Sequence, residues 1–215
     1  WTSFPERLEN AGISWKIYQN EISLESGFDE DEDSWLANFT DNPLEWFSQY
    51  NVRFSQSYHD YLQRIEPLLP KEVDELEKKL QSLDEKSEEA EKAKADLKHK
   101  LSLMLKAAER HKWSQENFRK LSQREQSLHT NAFATNKADP HYRELSVLKY
   151  KDANTEREMK VPKGDVLHQF RNDVNNGHLP MVSWIVGSAN FSDHPGAPCH
   201  VQRSHRRVRR SIARS

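Results

Sequence analysis

Apolar and polar residues repeat with two periods along this chain, and each period predicts its own kind of element. Residues 69–111 repeat at steps of three and four, through Leu69, Val73, Leu76, Leu80, Leu83, Ser87, Ala90, Lys94, Leu97, Leu101, Met104, Ala108 and His111. Residues at that spacing share one side of an α-helix. Glu and Lys three or four apart on the outward positions support such a helix in water. The seam is broken at Ser87 and Lys94, so the stretch is either one coiled-coil-like helix or a hairpin that reverses near residues 84–88. A second helical stretch from Ser114 to Leu128 is a candidate returning arm.

On either side the patterns are shorter. Pro5 near the start of a short helix and Gly12 at its end frame one turn of structure. Ile13 to Tyr18 then alternates apolar and polar, which predicts a strand with one face covered. The acidic run around residues 21–34 reads as a solvated loop without the spacing of a calcium-binding loop. Asp41-Asn42-Pro43-Leu44 is a cap signal, and Trp46, Phe47 and Tyr50 beyond it predict a helix with an aromatic face. Leu145–Tyr150 and Glu158–Val161 flank a polar turn at residues 152–155, the signature of a β-hairpin. Residues 164–177 predict a helix capped by Asp165, with Val166, Leu167, Phe170 and Val174 on one face and Gly177 at its end. The nearly continuous apolar run from Leu179 to Val186 predicts a strand covered on both faces, as at the parallel centre of an α/β sheet.

Composition limits what these elements can build. Of 215 residues, 35% are apolar and 31% charged, enough for one modest core. Aromatic residues at 10%, six of them Trp, argue against general disorder. No apolar run is long enough to span a membrane. The single cysteine, Cys199, excludes an internal disulfide and a cysteine-based zinc cluster. Charge is unevenly spread: residues 1–198 carry 26 Lys and Arg against 34 Asp and Glu, whereas residues 199–215 carry six Arg and no acid. The histidines outside the last strand's loop show no metal-ligand spacing.

Chemistry concentrates where the last strand ends. Residues 187–195 form a polar loop at its carboxyl end, the place where open α/β sheets put their sites. Ser192, Asp193 and His194 stand there in a row. An imidazole can donate to a phosphate oxygen or bind a metal, and a neighbouring carboxylate can orient it.

Three blocks carry a family resemblance. Trp1-Thr2-Ser3-Phe4-Pro5-Glu6-Arg7-Leu8, continued by Ala11-Gly12-Ile13-Ser14-Trp15-Lys16-Ile17-Tyr18-Gln19, is similar to a segment of the phosphoesterase family, which holds bacterial non-haemolytic phospholipases C and related acid phosphatases. Asp41-Asn42-Pro43-Leu44 with Phe47 and Tyr50 resembles its next motif. Leu179-Pro180-Met181-Val182-Ser183-Trp184-Ile185-Val186 and Phe191-Ser192-Asp193-His194-Pro195-Gly196-Ala197-Pro198 resemble a third. The resemblance implies an α/β fold in which part of an alkaline-phosphatase-like sheet layer is interrupted by the long helical, coiled-coil-like insertion. It divides the chain into a first part of the α/β body (1–66), the helical insertion (67–131), a second part of the body (132–198) and a basic tail (199–215).

The resemblance also implies the chemistry. The family hydrolyses phosphate esters such as the head-group ester of phosphatidylcholine, by attack of a Ser or Thr hydroxyl assisted by a divalent metal or by His donors. His194 matches the family's histidine before proline, Asp193 is a weaker candidate, and Ser192 reads as a loop residue and not the nucleophile. The family's nucleophile and early metal motif would precede Trp1 and its late Asp pair would follow residue 198. The catalytic set is therefore incomplete here, the metal ligands lie outside the chain, and the chain is expected to be inactive alone. A secreted or periplasmic bacterial enzyme acting on a phospholipid or small phosphate ester follows, with no role for nucleic acid. After Pro198 the composition switches abruptly to Arg without Lys, which reads as a reading-frame change ending in a non-native tail. The competing reading makes the chain a helical interaction module whose basic tail binds an anionic partner.

Overall fold

Two strands far apart in sequence lie side by side and parallel at the heart of this chain. The computed structural model describes residues 1–152 and 154–192. In chain order the elements are α1 (Phe4–Asn10), β1 (Trp15–Gln19), α2 (Glu30–Leu36), α3 (Gln56–Ile65), α4 (Leu69–Ser82), α5 (Glu88–Glu109), α6 (Gln115–Phe118), α7 (Gln123–Ala132), β2 (Ala134–Thr135), β3 (Leu145–Asp152), β4 (Thr155–Pro162), α8 (His168–Asn175) and β5 (Val182–Val186). The fold is mixed α/β with a small parallel sheet, and it divides into two compact units. One contains residues 1–24, 28–52 and those from 123 onward; the other contains residues 25–27 and 53–122.

In the first unit, α1 starts at a capping box: Ser3 Oγ accepts from the Glu6 amide, and the Glu6 carboxylate accepts from the Ser3 amide. It stops before Gly12, whose φ of +66° suits glycine best. β1 follows, with β2 on one side and β5 on the other, both parallel. Its register with β5 pairs Trp15 with Val182 and Gln19 with Val186.

The expectation of one covered face for this strand is corrected: both faces are covered. Trp15 and Ile17 enter a core with Leu44, Tyr50 and, from α7, Leu128 and Ala132. On the opposite face, α8 sets Phe170 edge-on against Tyr18 at 5.4 Å. Asp173 of α8 accepts from Lys16 Nζ at 2.5 Å and from the Tyr18 hydroxyl at 2.6 Å. The polar position in the alternation is thus buried by an ion pair from a distant helix. α7 is consequently a layer of the sheet unit and not the returning arm of a helical hairpin.

β5 also departs from expectation. Val182, Trp184 and Val186 pack against the core, but the strand is only half-buried, and Ile185 is 38% exposed. Among the described residues β5 pairs with β1 alone. The hairpin β3–β4 forms as its turn chemistry predicts, antiparallel from Leu145↔Pro162 to Asp152↔Thr155 and longer at both ends.

Two loop readings are corrected as well. The end of the acidic run, from Glu30 onward, is α2, begun by a capping box between Asp29 and Glu32. Its four first-turn acids match the positive end of the helix dipole. The aromatic segment after Asn42 is not one helix but 3-10 turns at 43–46, 48–50 and 52–54, because the backbone is extended at Phe47 and left-handed at Asn51, with a φ of +53°. Trp46 is therefore exposed while Tyr50 is fully buried, and the aromatic residues share no single face.

In the second unit, α4 and α5 run antiparallel, with Glu72 bonded to Lys100 and Lys79 to Glu89. The break at Ser87 is an N-cap: its hydroxyl accepts from the Ala90 amide at 3.1 Å. The buried side of α5 runs through Ala90, Ala93, Leu103 and Ala107. That seam shifts by one residue from the predicted heptad, because Lys94 turns outward to Glu91 and leaves Ala93 to face the neighbouring helix.

Removing Asp173 as Asp173→Ala leaves the buried Tyr18 hydroxyl without its acceptor. It should cost about 1–3 kcal/mol in urea unfolding at pH 7. Burial alone would raise the Asp173 carboxyl, but hydrogen bonds from Lys16 and Tyr18 outweigh it and hold it below the ordinary carboxylate range. This contribution should persist until pH falls through the unfolded value near 4 and then fade. His129 titrates in a different window. Burial lowers its imidazole despite the hydrogen bond to the Tyr50 carbonyl. The unfolded chain takes up that proton first, so stability should decline as pH drops below about 6.5. Urea midpoints at pH 7.5 and 5.5 should differ less in His129→Gln than in the unaltered protein.

Candidate functional site at the carboxyl rim of the sheet

After β1 the chain forms β2 on one side and later β5 on the other. The strand order therefore reverses at β1, and such a reversal opens a crevice at the carboxyl ends of the strands. The residues leaving those ends are polar and buried. Gln19 Oε1 accepts from Asn38 at 2.8 Å and from Asn42 at 3.2 Å, and Asn42 also donates to the Ala132 carbonyl. Asn20 donates to the carbonyls of Leu36 and Tyr142, and accepts from Asn136 on its own side-chain oxygen. Glu21, 1% exposed, forms an ion pair with Arg143 at 3.0 Å. Among the described residues no buried side-chain polar atom lacks a partner. These amides thus form a rigid, self-satisfied floor that needs no ligand to complete it.

A second cluster fixes the approach to α8. Asp139 accepts from the amides of Asp165 and His141 at 2.6 and 2.8 Å, and those bonds hold its carboxyl below the usual range. Asp165 does not cap the helix at its first residue. It closes the preceding turn by accepting from the Leu167 amide and binds Arg171. Gly164 is required there: a Cβ would lie 2.8 Å from the His141 carbonyl oxygen.

The loop that follows β5 starts at this rim. Ser188, buried, donates its hydroxyl to the Trp35 carbonyl at 2.8 Å. Residues 189–191 form a 3-10 turn, and Phe191 meets the Trp35 ring edge-on at 5.5 Å. Ser192 spends its hydroxyl on the Ala189 carbonyl at 2.9 Å, in keeping with a loop residue. Asp193 and His194, the two residues the sequence singles out, lie outside the described residues, as do Cys199 and the arginine-rich tail. Among the described residues no three His, Cys, Asp or Glu come together in a way that could hold a metal ion. Asn20, Glu21, Asn38 and Asn136 stand in no motif that the sequence singles out. The signal for the first two was available, since they directly follow an apolar strand.

The model of the phosphoesterase family matches residues 85–215. The chain belongs to the phosphoesterase family. Two curated relatives are similar over shorter stretches. A non-hemolytic phospholipase C of Burkholderia pseudomallei is 39% identical over 56 residues, 23% of this chain and 8% of that protein. A non-hemolytic phospholipase C of Pseudomonas aeruginosa is 42% identical over 52 residues, 24% of this chain and 6% of that protein. The matched stretches thus span less than a tenth of either relative. Among the described residues no helix is long and apolar enough to cross a membrane.

Proposed function

We propose that this chain is part of a bacterial, secreted or periplasmic phospholipase C-type phosphoesterase, acting on phosphatidylcholine-like phosphate esters. One observation carries the reading: in a phosphoesterase-family chain, β5 runs parallel to β1 and its loop is rooted at the carboxyl rim where the strand order reverses. In this reading His194 donates from that loop to a non-bridging phosphoryl oxygen, and Asp193 orients the imidazole. A Ser or Thr hydroxyl from another segment attacks phosphorus, and the ester oxygen leaves with its alcohol. Any divalent metal is held by groups outside this chain. The sheet is one portion of an alkaline-phosphatase-like layer, and the α4–α5 hairpin is a coiled-coil-like insertion into it. The names of the two bacterial relatives support the choice of substrate class.

With the catalytic set incomplete, the isolated chain should give no turnover of p-nitrophenyl phosphorylcholine above the buffer rate. Turnover that disappears in His194→Ala would show that the chain carries its own nucleophile. The role of His194 is tested separately by titrating phosphorylcholine into chain labelled with ¹⁵N-histidine. The resonance missing from the His194→Ala spectrum should move saturably. A resonance that stays in place at tens of millimolar phosphorylcholine, well above ordinary substrate affinities, contradicts the reading.

A further inference from the structure

We propose that the outward face of α5 pairs antiparallel with the same face of a second copy of this chain. α3 and α4 pack against α5 and cover its other sides, with Ala93, Leu103 and Ala107 buried. The face turned away from them keeps two leucines in water: Leu105 is 72% exposed and Leu101 44%. Residues four apart stand one above the other on a helix, so these two form one stripe. Ala95 and Ala108, also exposed, lie on the same side and are small enough to let a second helix approach closely.

Two exposed leucines alone name no partner; the charges beyond them do. Near the start of α5, Glu91 binds Lys94 at 2.9 Å, and at its end Glu109 binds Lys112 at 2.7 Å. Along the face the order is therefore acid, base, leucines, acid, base. A parallel copy in register would set acid on acid and base on base. An antiparallel copy, with its twofold axis between residues 101 and 102, sets Glu91 opposite Lys112, Lys94 opposite Glu109 and Ala95 opposite Ala108. One axis gives all three matches. The same axis brings the two Leu101 side chains together at the centre and sets Lys98 opposite Leu105, where its aliphatic stem can cover the leucine while the ammonium stays in water. The 22 residues of α5 make about 33 Å of helix. One helix face of that length lies at the small end of specific interfaces, so the pairing is reversible, with a Kd of about 10–100 µM.

Sedimentation of the 215-residue chain at increasing concentration should show monomer passing to dimer at about 10–100 µM. Leu105→Glu places two carboxylates in the contact and should leave the chain monomeric at about 300 µM, with its circular dichroism unchanged because the position is exposed. Lys94→Glu and Glu109→Lys should each weaken self-association about tenfold by setting like charges face to face. Mixed in equal amounts, these two variants should recover the dimer of the unaltered chain, because each then meets its opposite at both ends. An unaltered chain that stays monomeric at about 300 µM overturns the proposal, as does a dimer indifferent to Leu105→Glu. A mixture that associates no better than its components overturns it too, since only the antiparallel register pairs residue 94 with residue 109. A monomer that floats with phosphatidylcholine vesicles, and is released from them by Leu105→Glu, assigns the face to a lipid surface and likewise overturns the proposal.

Discussion

The pairing of β1 with β5 is the constraint on which the rest of the sheet unit depends. It joins backbone positions 167 residues apart, from Trp15↔Val182 to Gln19↔Val186. Closing so long a loop costs conformational entropy that two five-residue strands cannot offset with ladder hydrogen bonds alone. The layers above and below supply the remainder. α7 covers one face with Leu128 and Ala132, and α8 covers the other with Phe170 and a carboxylate shared by Lys16 and Tyr18. The same pairing brings the exits of both strands together at one rim, so stability and site placement have a common origin.

That common origin explains how the polar floor is built. Buried amides are costly unless every donor and acceptor is matched. Gln19, Asn20, Asn38, Asn42 and Asn136 match one another and nearby carbonyls instead of awaiting a ligand. The floor orders α2, and α2 in turn receives the turn at 188–191. The loop after β5 reaches this rim through α2, by the Ser188 hydroxyl on the Trp35 carbonyl.

Local chemistry was legible in the sequence and long-range cover was not. The Pro5 start and Gly12 stop of α1, the β3–β4 turn and the break in the seam at Ser87 all depend on neighbours within a few positions. The second covered face of β1 depends on Asp173, far away in sequence, so alternation alone reads Lys16 as a solvent-facing residue. The aromatic residues from Trp46 onward share helical spacing, but an extended Phe47 and a left-handed Asn51 break the run. Along α5, charge overrode the heptad, because burying Lys94 would have cost more than shifting the seam to Ala93. For the site, the strand-end loop and its direction of approach were readable from the apolar run before it. Its anchor at Trp35 was not, because the acidic residues ahead of Trp35 made α2 look like open loop.

Tungstate, a phosphate analogue with a strong anomalous signal, offers the most direct test of the idea that this rim presents an imidazole to a phosphoryl group. A crystal of the chain soaked in tungstate should show the anion at the carboxyl ends of β1 and β5, within hydrogen-bond reach of His194. Tungstate bound only elsewhere, with that imidazole turned away from the rim, would contradict the account.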